Sequence, residues 1–79
     1  MKFKVLAALE ENPSASNITN ATAVAVSIDS GPITVTVDNS EGTDTRTINL
    51  AAGLHKIAKK PAEVITCTGC KVTKIAITD

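Results

Sequence analysis

The sequence predicts an all-β fold, a small antiparallel β-sandwich or rolled sheet of five or six short strands. Three observations carry this reading. Runs of β-branched residues alternate with smaller or polar ones, most clearly over residues 23–28 and 33–37, as strands with one buried face do. Clusters of Gly, Pro, Asn, Asp and Ser separate these runs at short intervals and punctuate a β chain. Finally, residues 63–77 read as two strands folded on a tight turn, with Thr68-Gly69 at the tip and a cysteine on each side; glycine supplies the φ > 0 position a hairpin tip needs.

In chain order, residues 1–11 are two-sided. Lys2-Phe3-Lys4-Val5-Leu6 alternates like a strand, whereas Leu6, Leu9 and the alanines suit a short helix; the β character of the rest favours a strand or extended arm. Asn12-Pro13-Ser14-Ala15-Ser16-Asn17 is punctuation, because Pro13 restricts Asn12 and small polar residues favour turns. Residues 1–20 are thus read as an N-terminal arm and linker, with a hinge at 12–17, and residues 21–79 as a compact β domain.

Within that domain, Val24, Val26 and Ile28 share one face of the first strand and Ala23, Ala25 and Ser27 the other, so that both faces suit cover. After the turn Asp29-Ser30-Gly31-Pro32, Ile33, Val35 and Val37 point inward and Thr34 and Thr36 outward, and the four-residue connection predicts a hairpin. A polar loop, 38–44, precedes a strand at 45–50 with Ile48 and Leu50 facing in. Ala51-Ala52-Gly53 turns the chain into a short strand at 54–58, and Pro61, which lacks a donor, is expected at a strand start or edge. In the closing hairpin, pairing Cys67 with Cys70 puts Ile65 opposite Val72, while Ile75 and Ile77 fall on the other parity. Either a bulge near Thr73-Lys74 resets the phase or both faces of the last strand are covered.

Seventy-nine residues make one domain at most, and with one Phe, one Met and no Trp or Tyr the core is thin. Such cores are completed by a metal, a disulfide or a partner, and here a partner subunit is favoured. Eight basic against eight acidic residues leave no net field for nucleic acid or an anionic membrane. The basic cluster of Lys56, Lys59 and Lys60, with Lys71 and Lys74 beyond it, has no aromatic neighbour on which a base would stack. No apolar run approaches the ~20 residues of a membrane span, and residues 5–9 are short for the apolar region of a signal peptide. Asn17-Ile-Thr19 and Asn20-Ala-Thr22 match the glycosylation acceptor pattern, which an Asn/Thr-rich segment produces by chance.

The Cys67-x-x-Cys70 spacing is the strongest chemical signal. A zinc site needs two more soft or imidazole ligands, and the chain offers only His55 besides carboxylates. A dithiol redox site places its first cysteine at a helix N-terminus, whereas these flanks are strand-like. Cys67 and Cys70 are therefore read as a structural pair, either bonded as cross-strand neighbours or, in a reducing cytoplasm, packed as small hydrophobic thiols. Asp38-x-Ser40-x-Gly42-x-Asp44 spaces oxygens like a calcium loop but lacks the later bidentate Glu, so it reads as a solvated loop. His55 reads as a strand-face or subunit-contact residue. With no carboxylate pair or phosphate-cradling glycine loop, no enzyme and no cofactor is expected.

From about residue 21 to 77 the order of features resembles small β-rich tailed-phage virion proteins of the capsid-cement or spike-base type. The residues that carry it are the valine-rich first strand with its Gly turn, Ile33-Thr-Val-Thr-Val37, the acidic/Gly loop 38–44, Leu50-Ala-Ala-Gly53, and the closing Thr66-Cys-Thr-Gly-Cys-Lys-Val-Thr-Lys-Ile75. The likeness covers roughly three quarters of the chain and is one of strands and turns. The sequence departs from it in its turn cysteines and its lack of aromatics, and residues 1–11 lie outside it. The resemblance implies a non-enzymatic structural virion protein, a cement or decoration that stabilises the shell. Its partners would be the major capsid protein or another virion protein and copies of itself, a trimer among the candidates, and its location the virion assembled in the host cytoplasm. The alternatives are a small β-sandwich binding or adhesion module, and a metal-stabilised module using Cys67 and Cys70.

Overall fold

The computed structural model describes residues 2–78, with side chains described for residues 4–76; Met1, Asp79 and the Ile77 side chain, whose facing the sequence addressed, lie outside this set. Eight strands are formed among the described residues: β1 (Lys2–Val5), β2 (Glu10–Glu11), β3 (Ala23–Ile28), β4 (Ile33–Asp38), β5 (Arg46–Leu50), β6 (Gly53–Ala58), β7 (Val64–Cys67) and β8 (Cys70–Thr78). They make two antiparallel sheets packed face to face. The larger has the order β1-β8-β3-β6, with β2 also on β8; the smaller has the order β5-β4-β7. The fold is a small all-β sandwich. Six strands are those the alternation predicts, and the other two come from residues 2–11.

The sheets meet over side chains of the predicted parity. Val24, Val26, Ile28 and Val72 of the larger sheet pack against Val35, Ile65 and Cys67 of the smaller, with Ile18 and Ala21 closing one end. Each fully buried aliphatic side chain here contributes about 1.5–3 kcal/mol. Ala23, Ala25 and Ile75 form a second cluster. Their pairing parity places them on the opposite face of the β3–β8 ladder, which resolves the phase question. β8 runs unbroken from Cys70 to Thr78, and both its faces are covered.

The irregularity sits on the neighbouring strand. Leu6 donates its N–H to Lys74 O at 2.9 Å, continuing the β1 ladder, while Glu10 pairs with Val72. Ala7, Ala8 and Leu9 therefore face the single residue Thr73, a bulge with two residues in excess.

Three expectations are corrected. Residues 29–32 do not close a hairpin: β3 lies in the larger sheet and β4 in the smaller, so the turn is a corner, with a cis Gly31–Pro32 peptide. The cysteine turn is likewise a corner. Ile65 pairs with Val37 and bridges Ser16, while Val72 pairs with Val26 and Glu10, so Ile65 and Val72 are not ladder partners. Gly and Pro suit a corner as well as a hairpin, and only the long-range partners distinguish the two. Finally, Ile48 has the inward parity, opposite Val35, yet is 52% exposed, because β5 is an edge strand overhanging the sandwich. Pro61 stands in the turn before β7.

Residues 2–20, read from sequence as arm and linker, lie along the body. β1 and β2 pair with β8, and Ile18 is fully buried. At the expected hinge, Asn12 Oδ1 accepts from the N–H groups of Gly69 (2.7 Å) and Cys70 (3.3 Å).

Candidate functional site

Cys67 and Cys70 are joined by a disulfide, with Cα atoms 6.2 Å apart. Each belongs to a different sheet: Cys67 pairs with Val35 and Cys70 with Ile28. The bond thus staples the two sheets at a corner, and both residues are buried in the main core. With both sulfurs bonded, neither presents a thiolate. Among the described residues no group of three His, Cys, Asp or Glu is placed to hold a metal ion.

His55 lies on the inward face of β6 opposite Val26. Its Nε2 is 2.8 Å from the Ala51 carbonyl, an acceptor only, so Nε2 carries the proton and holds the β5–β6 corner. The candidate calcium loop spends its first carboxylate on itself. Asp38 accepts from the N–H groups of Asn39 (2.7 Å) and Asp44 (3.1 Å) and from the Thr45 hydroxyl (2.5 Å), an Asx-type closure of the β4–β5 hairpin.

The lysines separate. Lys59 is buried, and its ammonium donates to the carbonyls of Lys60, Pro61 and Glu63 at 3.1, 3.4 and 2.9 Å, tying the turn that leads into β7. Burial lowers its pKa, while nearby Glu63 opposes that. Lys74 donates to Thr19 O at 3.0 Å and Lys71 lies 3.9 Å from Asp29.

Two carboxylates are held in their charged form. The Thr45 hydroxyl chiefly lowers the Asp38 pKa, with the Asp44 and Asn39 amides adding to it against partial burial. The Lys60 amide chiefly lowers that of Glu63, aided by its ion pair with Arg46. Groups depressed on folding stabilise the protein fully above their unfolded values, 3.8 and 4.5, and lose that contribution as pH falls through the folded values. The thermal midpoint is therefore expected to drop between pH ~7 and pH ~3, and Asp38→Asn to shrink the drop. A midpoint flat across that range contradicts this, and a calorimetric pH series measures it.

Two clefts open on the surface. One, of about 280 Å³, lies over the β7–β8 turn between Glu11 and Asp29. The other, of about 170 Å³, lies at the open side of the sandwich between Ile48 on β5 and Ala58 on β6. The first is lined by Glu11, Ser27, Asp29, Ser30 and Lys71, the second by Arg46, Thr47 and Glu63 beside its apolar residues.

The most unusual surface is the outward face of the larger sheet. Ala23 and Ala25 form its floor beside Ile75, and register places Val5 next to Ile75 and Leu54 opposite Ser27 on that same face. Val5 is 60% and Leu54 55% exposed beside buried Ala23, Ala25 and Ile75, and Lys56, Lys71 and Thr73 share this face by register. The alternation in residues 23–28 signalled a covered second face, but its margins come from strands 20 to 30 residues away and carry no local signal. Comparison with family models, curated proteins and solved structures finds no match to this chain.

Proposed function

We propose that this protein is a non-enzymatic structural virion protein, a capsid cement or decoration that stabilises a shell through protein–protein contacts, acting as a homo-oligomer. The observation that supports this reading is the outward face of the larger sheet, where Val5 and Leu54 stand exposed beside the buried cluster of Ala23, Ala25 and Ile75. Exposed aliphatic side chains gain from burial against a partner. The resemblance to tailed-phage cement proteins read from the sequence suggests the kind of partner, the major capsid protein or another virion protein.

Co-sedimentation with tailed-phage shells stripped of their decoration tests it. Binding is expected to saturate at a fixed ratio to shell subunits and to raise the temperature at which shells break. Leu54→Glu is expected to weaken binding at least ~10-fold by placing a charge in the contact, with the thermal midpoint of the free protein nearly unchanged because the side chain is exposed. A folded monomer that ignores every shell overturns the reading.

The Cys67–Cys70 disulfide favours a second reading, a secreted or surface adhesion module, since such bonds persist in oxidising compartments. Thiol titration of protein taken directly from its source separates the two: a quantitatively oxidised pair supports adhesion, free thiols the virion.

A further inference from the structure

We infer that β1 is an exchangeable strand, which leaves its own β8 and pairs with the β8 edge of a second copy of the chain. The inference deepens the assembly reading above, on which it rests, by naming the strand that joins the copies.

The argument is a contrast between two neighbouring segments on one edge. β2 and the residues after it are tied down. Asn12 exchanges backbone and side-chain hydrogen bonds with Gly69 and Cys70, the Pro13 carbonyl accepts from Cys67 N–H at 3.0 Å, and the Glu10 carboxylate accepts from the Ser16 hydroxyl at 2.6 Å. Among the described side chains of β1, Lys4 and Val5 make no such ties. The strand pairs with β8 alone, Lys2 to Val5 against Thr78 to Ile75. Its described side chains, Lys4 and Val5, are exposed and belong to neither core cluster. The backbone ladder runs the whole length of β1, and a second copy offers the identical ladder in the identical register. Exchange therefore changes no contact type and is a low-cost route to a closed dimer.

Between the two segments lies the slack that exchange needs. The bulge at Ala7-Ala8-Leu9 already departs from the ladder, and Leu6 and Leu9 are half exposed. Extended, the three residues 7–9 reach about 10–11 Å, comparable to the roughly 10 Å between packed sheets. The occupant of the β8 edge is thus specified by the chain itself, and reciprocal exchange leaves no edge unpaired at residues 75–78.

Two singly substituted chains of different mass test this. One carries Lys4→Cys and the other Ala76→Cys, positions that face each other across the β1–β8 ladder at a spacing a disulfide spans. They are unfolded together, refolded at high concentration and oxidised. A disulfide joining the two different chains at these positions, at least tenfold above same-chain dimers, is the expected result. Monomers alone, or linked chains in statistical proportion, overturn the inference. As a second measure, deleting Ala7 and Ala8 merges β1 and β2 into one continuous ladder and removes the slack. The deletion is expected to convert dimer to monomer by native mass, and a dimer that persists overturns the inference. Neither measurement involves a shell. A chain that exchanges strands but ignores shells removes the shell reading alone, and one that binds shells with β1 closed on itself removes exchange alone.

Discussion

Replacing Gly31 by alanine is expected to lower the thermal midpoint by roughly 4–24 °C, an overpacking cost of about 1–3 kcal/mol at ~4–8 °C per kcal/mol for a domain of this size. A Cβ at this position would stand 2.8 Å from Ala52 N, 3.1 Å from Ala51 C and 3.2 Å from Leu50 O. All three are backbone atoms of the β5–β6 corner, so no side-chain rotation relieves the clash. The β3–β4 corner would have to lift off, opening the end of the sandwich where Ile28 and Leu50 pack. Gly42 is the control. Its φ is +76° but nothing lies within 4 Å of its Cβ position, and asparagine tolerates that conformation, so Gly42→Asn is expected to be nearly neutral. Thermal unfolding of the two variants measures the difference, and equal midpoints would contradict the close approach of the two corners.

Ile18→Ala is expected to cost about 2–5 kcal/mol, the range for truncating a fully buried aliphatic side chain. Ile18 is completely buried although it begins a run of three left-handed residues, with φ of 53°, 57° and 57° at Ile18, Thr19 and Asn20. Such a run disfavours L residues by about 1–2 kcal/mol each. It is held by Ala21 N–H, which bonds the Asn17 and Ile18 carbonyls, by paired Asn17 and Asn20 side chains, and by Lys74 on Thr19 O. The buried Ile18 side chain supplies the compensation. Thr19→Gly is expected to act with the opposite sign and stabilise by up to about 1 kcal/mol, the relief of a β-branched residue at positive φ less the entropy glycine loses on folding. Urea unfolding measures both. A neutral Ile18→Ala would show that residues 17–21 do not contribute to the core.

These two sites show where the sequence was legible and where it was not. The alternation at 23–28 and 33–37 reported strands, faces and the main core correctly, because a period of two is a local property. The second face of β3 was legible for the same reason. Sheet membership was not. Asp29-Ser30-Gly31-Pro32 and Thr68-Gly69 have the composition of hairpin tips, and whether such a tip stays in one sheet or crosses to the other is decided by Val35, Cys67 and Ile65 finding partners far along the chain. Ile18 escaped notice because it sits in an Asn/Thr-rich stretch with no period, where a left-handed turn leaves no pattern. Ile48 kept its inward parity but not its burial, since parity says nothing about which strand ends up at an edge. At the candidate sites, the cysteine spacing pointed to a structural pair, but that the two sulfurs connect different sheets is a property of topology alone. The outward face gathers Val5, Ala25 and Leu54 from three separated strands, beyond any window of neighbouring residues.

The position of β8 has a temporal meaning. It is the last strand among the described residues, yet it lies inside the larger sheet, between β3 on one edge and β1 with β2 on the other. While the chain is being made, β3 can find β6, but the edge that will receive β8 stays open, and β1 and β2 have nothing to pair with until residues 70–78 leave the ribosome. Loop closure over nearly the whole chain must then precede the reward of pairing, which slows folding. Through that interval β1 waits as an unpaired strand.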